Sequence, residues 1–129
     1  MNSEMLAGKR ILVVEDEMLV LMAIEDMLTD LGCTSISVAG TIDKALHLIE
    51  TEPFDLVTLD LNLNGKHSYP VARVLTERGV PFVFSTGYGE HGIDQAFNGH
   101  PVLNKPYLPE EFVAVLAGLM APALPVQPA

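Results

Sequence analysis

Acidic residues follow two of the apolar runs in this sequence. Glu15, Asp16 and Glu17 come directly after one run, and Asp60 ends another. Neighbouring carboxylates repel one another, so three consecutive acids need an explanation. One explanation is a helix N-terminus, because acids in a first turn interact favourably with the helix dipole. For Asp60 alone, the simplest interpretation is a polar side chain that solvates the end of a strand.

Two further polar side chains follow later apolar runs. Thr86 comes after the run 80–84, and Lys105 comes shortly after Val102 and Leu103. The carboxyl ends of parallel strands meet at one edge of an open α/β sheet, which is where such sheets bind ligands. We therefore expect five polar residues at a common edge, namely Glu15, Asp16, Asp60, Thr86 and Lys105.

Together these residues indicate a site for a divalent metal ion and a phosphoryl group. Crowded carboxylates repel unless a hard cation holds them, and their oxygens suit Mg2+, or Mn2+ in its place. The backbone carbonyl of Asn62, just past the strand, could add another oxygen ligand. Lys105 and the Thr86 hydroxyl would then face the anionic side of the site, where a lysine pairs with a phosphoryl group.

The elements that position these residues alternate along the chain. Five apolar runs predict buried or half-buried strands, and a helical spacing of apolar residues follows each of them. The predicted strands lie at 11–14, 35–38, 56–59, 80–84 and 102–103. This order of strand and helix predicts an α/β fold with one parallel sheet, right-handed crossovers and helices on both faces.

Local signals mark where the middle helices begin and end. Thr41 is a predicted N-cap, and Gly32 and Gly79 fit the position that follows a helix C-terminus. Ser68 and Pro70 are expected to open a helix, since proline is tolerated in a first turn. The dipeptide 64–65, Asn-Gly, predicts a turn just after the strand that ends on Asp60.

The first and last helices carry the most apolar surface. The first places Leu21, Ile24, Leu28 and Leu31 at helical spacing, with Leu19, Val20, Met22 and Met27 on other faces. It is therefore expected to be covered broadly or to meet a partner in part. The last opens at Pro109 and presents Phe112, Val115, Leu116 and Leu119 on one face. The glycine-punctuated segment Glu90 to Gly99 has a weak pattern that predicts a short or mobile helix.

Composition narrows the class of protein. The chain has 129 residues and a net charge of −10, which disfavours nucleic acid and anionic membranes as partners. A single cysteine, Cys33, indicates a reducing compartment, and we find neither a signal peptide nor a membrane-spanning run. We expect an N-terminal extension at 1–8, one domain at 9–120, and a disordered tail rich in proline and alanine at 121–129.

At this point the sequence resembles a known family, the receiver domains of two-component response regulators, from about Lys9 to Met120. The matching features are Val14-Glu15-Asp16 after the first strand, Leu59-Asp60 after the third, Thr86 after the fourth, and Lys105-Pro106 after the fifth. The resemblance implies a flavodoxin-like (CheY-like), doubly wound five-stranded sheet of order 2-1-3-4-5, a topology of which receivers are a familiar example.

The resemblance also implies a role for each matching residue. Asp60 would be the phosphoacceptor, Lys105 would pair with the phosphoryl group, and Thr86 would hydrogen-bond it after phosphorylation. Asp16 would bind magnesium directly, Glu15 mainly through water, and Asn62 through its main-chain carbonyl. The donor would be a phosphohistidine on a sensor histidine kinase or a phosphotransfer protein, in the cytoplasm. Such a domain catalyses only its own phosphorylation and dephosphorylation, and so is not an enzyme in the ordinary sense.

The chain departs from the usual receiver pattern at its switch. Receivers typically carry an aromatic residue three positions before the lysine, where this chain has Val102. The residues 84–88, Phe-Ser-Thr-Gly-Tyr, are similar to the signature of the FAT GUY receivers, which are often stand-alone. Output is then expected through protein contacts. The hypothesis is that the segment Gly87 to His100 becomes ordered on phosphorylation and, with the last strand and helix, binds a downstream partner.

Three functions are compatible with these residues. The first is a phosphoaccepting, single-domain receiver, and the second is a receiver-like interaction module that is never phosphorylated. A module without chemistry has no need of all five polar residues, which favours the first. The third is an aspartyl-nucleophile hydrolase, which usually places its nucleophile after the first strand with a second aspartate two residues on. Here Asn62 stands two residues after Asp60.

Overall fold

The structure is a computed structural model that describes residues 4–87, 97, 99–105 and 107–120. The first half contains β1 (Arg10–Val14), α1 (Met18–Asp30), β2 (Ser35–Ala39), α2 (Ile42–Thr51) and β3 (Leu56–Asp60). A small hairpin follows, made of β4 (Asn62–Leu63) and β5 (Lys66–His67). The second half contains α3 (Tyr69–Arg78), β6 (Phe82–Thr86), β7 (Val102–Asn104) and α4 (Pro109–Met120).

Five parallel strands form the main sheet, in the order β2-β1-β3-β6-β7. The two β-hairpin strands belong to a separate pair, so β6 and β7 are the fourth and fifth strands of the sheet. The predicted α/β fold and the predicted order 2-1-3-4-5 are therefore confirmed. Register brings the polar strand ends into line, since Asp60 is level with Ser85 and Thr86 with Asn104.

The sheet is covered on both faces, as an alternating strand and helix order requires. One face packs against α2 and α3, through buried residues that include Ala45, Ile49 and Leu75. The other packs against α1 and α4, where Leu28 and Leu116 are fully buried. Strands that are covered on both faces are apolar along their whole length. This is why the apolar runs at 11–14 and 56–59 predicted strands so clearly.

Helix ends follow the predicted local chemistry. Gly32 has φ 88°, and its N–H donates to the carbonyl of Thr29, while the N–H of Cys33 donates to that of Leu28. These two bonds form a Schellman motif, which explains the glycine at this position. Thr41 caps α2 by accepting a hydrogen bond from the N–H of Lys44 at 3.1 Å. Gly79, at φ 69°, ends α3 in the same left-handed conformation.

None of the three acids after β1 lies in the first turn of a helix. Helix α1 begins at Met18, and its first turn, all of it in the described part of the chain, holds no acidic residue. Glu17 takes the N-cap position without a side-chain cap among the described residues. The acids lie in the connection between β1 and α1. A divalent cation that binds them remains the explanation for their clustering.

The segment before β1 contributes to the core. Leu6 is fully buried against the α1 and α4 face, and its N–H donates to the carbonyl of Leu31 at 2.8 Å. The predicted boundaries at residues 9 and 120 stay predictions, and the tail 121–129 lies outside the described residues. Among the helices described here, none is long and apolar enough to cross a membrane.

Candidate functional site

The centre of the site is a lysine between two buried carboxylates. The Nζ atom of Lys105 lies 2.9 Å from Oε1 of Glu15 and 3.1 Å from Oδ2 of Asp60. Glu15 and Asp60 are only 2% and 4% exposed. Buried carboxylates are costly unless paired, so this lysine is needed where two of them meet. The structure brings together the ends of β1, β3 and β7 as the sequence predicted.

The second oxygen of each buried carboxylate has a backbone donor. Oε2 of Glu15 accepts the backbone N–H of Glu17 at 3.1 Å. Oδ1 of Asp60 accepts the backbone N–H of Asn62 at 3.2 Å. Because both bonds come from the chain just after the acid, local backbone geometry fixes the orientation of each carboxylate.

The titration of Asp60 is shifted strongly. Burial, together with the charge of Glu15, raises the pKa of Asp60 from 3.8 to about 7, against the opposing effects of Lys105 and the Asn62 N–H. Burial alone would lower the pKa of Lys105, but its hydrogen bond to Glu15 and the charges of Asp60 and Glu15 outweigh that effect and raise it. Lys105 therefore stays cationic, while Asp60 titrates near neutral pH in the metal-free protein.

The hairpin β4–β5 forms one wall of the site and holds Asp16. Its two turn residues, Asn64 and Gly65, have φ angles of 53° and 84°, as a type I′ turn requires. The N–H of Asn64 donates to Oδ2 of Asp16 at 3.0 Å, and its side-chain amide donates to the carbonyl of Gly40 at 3.2 Å. The turn was predicted, but the two short strands were not.

The hairpin and the strand ends enclose a cleft of about 310 Å3 at the carboxyl edge of the sheet. Thr86 lines it from the end of β6, and the carbonyl of this residue accepts the N–H of Lys105 at 2.8 Å. The other lining residues include four of the predicted set and the hairpin, namely Asp16, Asp60, Asn62, Lys105, Asn64, Gly65 and His67. Glu15 lies behind Lys105, which places it in contact with the site but deeper.

The acidic cluster fits a hard divalent cation. One carboxylate oxygen from each of Glu15, Asp16, Glu17 and Asp60 lies within 4.8 Å of the others. A set made only of carboxylate oxygens suits Mg2+ or Mn2+ and not a soft metal. Glu17 was not among the predicted ligands, although it is the third acid of the run. Its Oε1 lies 3.7 Å from Lys105 Nζ, at the exposed side of the cluster.

Ser68 serves the site in a way that its sequence position did not reveal. It was predicted to open α3, and it does stand at the N-cap position, but it makes no side-chain cap among the described residues. Its buried hydroxyl donates instead to the carbonyl of Asp60 at 2.6 Å. This bond ties the end of β3 to the start of α3, and so restrains the backbone of Asp60.

Aromatic rings pack together at the end of the segment Gly87 to His100. Val102 is half-buried, while Phe97 is buried and stacks on Tyr69, with ring centroids 5.6 Å apart. His100 stacks on Phe82 at 4.2 Å, and burial lowers its pKa. The end of the segment Gly87 to His100 is thus packed against β6 and α3. Residues 88–96 and 98, where the short helix was predicted, lie outside the described residues.

Removing one buried hydroxyl in β3 is expected to stabilise the protein. Thr58 lies between Val13 and Val83 in register, and its Oγ1 has no hydrogen-bond partner among the described residues. Thr58→Val keeps the shape and removes the unsatisfied group, so we expect the free energy of unfolding to rise by about 1 kcal/mol. Urea denaturation measures this. Thr58→Ala leaves a void and should lower stability, and a loss in both variants would contradict the interpretation.

The comparisons with known proteins agree with the geometry. The family described as the response regulator receiver domain matches residues 11–117. That range holds every predicted site residue, and the chain belongs to this family. The predicted membership is therefore confirmed, and it makes the chain a response regulator receiver domain of the two-component systems.

Two relatives show how far the likeness extends. The transcriptional regulatory protein DltR of Streptococcus agalactiae serotype III (strain NEM316) is 32% identical over 112 residues, which cover 81% of this chain. The chain spans 49% of the length of that regulator. The solution structure of SdrG from Sphingomonas melonis Fr1 is 39% identical, with a TM-score of 0.79, over 88% of this chain and 97% of SdrG.

A third relative bears on the acidic cluster. The receiver domain of the sensor histidine kinase PA1611 from Pseudomonas aeruginosa PAO1 is 26% identical, with a TM-score of 0.77. The match covers 88% of this chain and 98% of that domain, whose structure has a magnesium ion coordinated in its active-site cleft. Receiver domains bind Mg2+ at an acidic pocket, and this chain has such a pocket in the corresponding fold.

Proposed function

We propose that this receiver accepts a phosphoryl group on Asp60, in a reaction that depends on Mg2+ or Mn2+. The observation that supports it most is the triangle of Lys105, Glu15 and Asp60, in which one cation neutralises only part of the buried negative charge. Two buried carboxylates that share one lysine are a poor source of stability, which favours a chemical role for them. A receiver-like module that is never phosphorylated explains the fold, but it leaves this buried charge unexplained.

The protein contributes to this reaction mainly by positioning the reacting groups and by neutralising charge. An oxygen of Asp60 attacks the phosphorus, and the O–P bond forms as the bond between phosphorus and the leaving group breaks. The Asn62 N–H and Ser68 hold the carboxylate and its backbone while this happens. Lys105, already 3.1 Å from Asp60, neutralises charge on the transferred group. We assign to Thr86 the hydrogen bond to the phosphoryl oxygens that forms after transfer.

The metal site would be formed by Asp16, Asp60 and the main-chain carbonyl of Asn62, with Glu15 behind them. When bound, the cation supplies positive charge that favours the ionised form of Asp60 and offsets the charge of the phosphoryl group. Since the pKa of Asp60 is raised to about 7 in the metal-free protein, that effect matters near neutral pH. Asp16 is held by the hairpin, so the hairpin orients one ligand.

Intact-protein mass spectrometry tests this function. Wild type, Asp60→Asn and Asp43→Asn are each incubated with a small phosphodonor, with Mg2+ or with a chelator. Asp43 is exposed in the first turn of α2 and does not line the cleft, and it serves as the matched control. We expect one phosphoryl group on wild type and on Asp43→Asn, only with Mg2+, and none on Asp60→Asn. Uptake by Asp60→Asn at the wild-type rate would show that the phosphoacceptor is another residue.

Magnesium should also stabilise the folded chain. A ligand that binds only the native state raises the melting temperature with its concentration. We expect Mg2+ to raise the Tm of wild type, and Asp16→Ala to reduce or abolish that rise. The same variant should be at least as stable as wild type without metal, because it relieves repulsion within the acidic cluster. Equal magnesium-induced shifts in the two proteins would argue against Asp16 as a ligand.

The proposed partners are proteins. A sensor histidine kinase or a phosphotransfer protein would supply the phosphoryl group from a phosphohistidine. Leu19 is 82% exposed on α1, beside the apolar and exposed Met18 and Met22. Leu19 lines a groove together with Lys105 and Tyr107, so we propose that the donor binds there. The predicted alternative of a broadly covered α1 does not fit this exposed surface.

Output is proposed to run through a downstream protein partner. The surface would combine the segment Gly87 to His100 with β7 and α4. The resemblance to receivers further implies that Asn62 and Tyr88 set how long the phosphoryl group persists. Tyr88 lies outside the described residues. We further propose a cytoplasmic, single-domain regulator, and the match to 97% of the length of SdrG supports the single domain.

A further inference from the structure

A hydrogen-bonded pair of side chains, which the proposed chemistry does not use, lies beside Asp60. The hydroxyl of Ser85, near the end of β6, bonds to the hydroxyl of Tyr107 in the connection between β7 and α4. Ser85 is buried and level with Asp60 in the neighbouring strand. Side chains alternate along a strand, and those of Ser85 and Val83 share the sheet face that α1 and α4 cover. The pair therefore lies on the same side of the sheet as the Lys105 connection.

Tyr107 is anchored at both of its ends. Its ring stacks on Phe112, a fully buried residue of α4, with centroids 5.8 Å apart. Its hydroxyl reaches Ser85, whose own carbonyl accepts the N–H of Leu61 at 2.8 Å. Leu61 is the residue after Asp60, so the pair links the chain that follows Lys105 to the chain that follows the phosphoacceptor.

The charges of Lys105, Glu15 and Asp60 also act on the Tyr107 hydroxyl. Burial raises the pKa of Tyr107 to about 12, against the opposing effects of its hydrogen bond to Ser85 and of the charge on Lys105. At any ordinary pH the hydroxyl is thus protonated and can take part in the bond to Ser85. The backbone of Lys105 is itself held by its N–H, which donates to the carbonyl of Thr86. A second tether two residues further along would fix the direction of the lysine side chain.

We propose that the Ser85–Tyr107 hydrogen bond is a positioning contact that keeps Lys105 Nζ between Glu15 and Asp60, and so sets the rate at which Asp60 takes up a phosphoryl group. This proposal rests on the proposed function and deepens it. Neither residue touches the reacting atoms. Both act through Lys105, whose ammonium group must stay within about 3 Å of the carboxylate for the charge-assisted bond to persist.

Three variants test the contact: Tyr107→Phe, Ser85→Ala and the double variant. Tyr107→Phe keeps the ring on Phe112, and the double variant has neither hydroxyl and so leaves no buried orphan. We expect each of the three to slow uptake from a small phosphodonor by about three- to tenfold, the rate equivalent of one hydrogen bond. The double variant should be as slow as either single one, although its thermal stability recovers toward wild type. The proposal would be overturned if the uptake rates changed in step with the thermal stability of the variants. It would also be overturned if they stayed within about twofold of wild type.

A second measurement separates this proposal from the proposed function. A buried, hydrogen-bonded ammonium group exchanges slowly enough to be observed by 15N–1H NMR, and the Lys105 signal can be assigned by its loss in Lys105→Arg. We expect that signal to broaden or vanish in all three variants without any phosphodonor present. If wild type takes up no phosphoryl group, the proposed function fails, and this signal still decides the positioning role. An unchanged signal in all three variants would rule that role out.

Discussion

Replacing Lys105 by alanine is expected to cost the metal-free protein about 3 kcal/mol of unfolding free energy at pH 8, the loss typical of breaking a buried ion pair. The reason is that Glu15 and Asp60 are both buried and both lose their nearest cation. Excess Mg2+ should recover much of the loss, because a bound cation again neutralises the acids. Urea denaturation with a chelator and with Mg2+ measures both effects.

The control for this prediction is Lys66→Ala. Lys66 is exposed on β5 of the hairpin, between two residues that line the cleft, so removing its charge should change stability by less than about 0.5 kcal/mol. Lys105→Met retains an apolar stem without the charge and should behave like Lys105→Ala. A loss below about 1 kcal/mol in Lys105→Ala, unaffected by Mg2+, would contradict the buried triangle.

Asp60→Asn is expected to change how the stability of the metal-free protein depends on pH. The pKa of Asp60 is raised from 3.8 to about 7 by burial and by the charge of Glu15. A carboxyl group with a raised pKa stabilises the folded state fully below its unfolded pKa, and this contribution is lost as pH rises through the folded pKa. Wild type should therefore lose stability between about pH 4 and pH 7, and asparagine removes that loss.

The size follows from the same linkage. One pKa unit corresponds to about 1.4 kcal/mol, and the loss above about pH 5 falls mostly between about pH 5 and pH 7, so we expect a relative gain for Asp60→Asn of about 2 kcal/mol between about pH 5 and pH 8. The measurement is chemical denaturation at several pH values in the presence of a chelator. Asp43→Asn should run parallel to wild type. A constant difference between Asp60→Asn and wild type across this range would show that Asp60 has an ordinary pKa.

The sequence was most informative where one simple rule decided the structure. Strands buried on both faces must be apolar along their whole length, so β1 and β3 could be recognised from the sequence, together with the acids that follow them. Parallel strands bring their carboxyl ends to one edge, and this placed Asp60 and Lys105 together although they are 45 residues apart. The glycines at helix ends were equally informative, because Gly32 and Gly79 adopt backbone conformations that other residues avoid.

The features that escaped prediction depend on contacts between distant residues. Strands of two residues have no periodicity, so the hairpin could be predicted only as its Asn64-Gly65 turn. Ser68 looks like an ordinary helix cap, and only the fold shows its hydroxyl bonded to the carbonyl of Asp60. The stacking of Phe97 on Tyr69 joins two segments that no local pattern relates. Leu6 is a lone leucine before β1, and its burial depends on where α1 ends.

Locating the phosphoryl group by chemistry is the most direct test of the central claim. An acyl phosphate is reduced by borohydride, which converts the phosphorylated aspartate to homoserine and marks its position permanently. The protein is incubated with a small phosphodonor and Mg2+, reduced, digested and mapped by tandem mass spectrometry. The account predicts homoserine at position 60 alone, and none when a chelator replaces Mg2+. Homoserine at any other aspartate, or a phosphoryl group that survives at a histidine or serine with residue 60 unchanged, would contradict it.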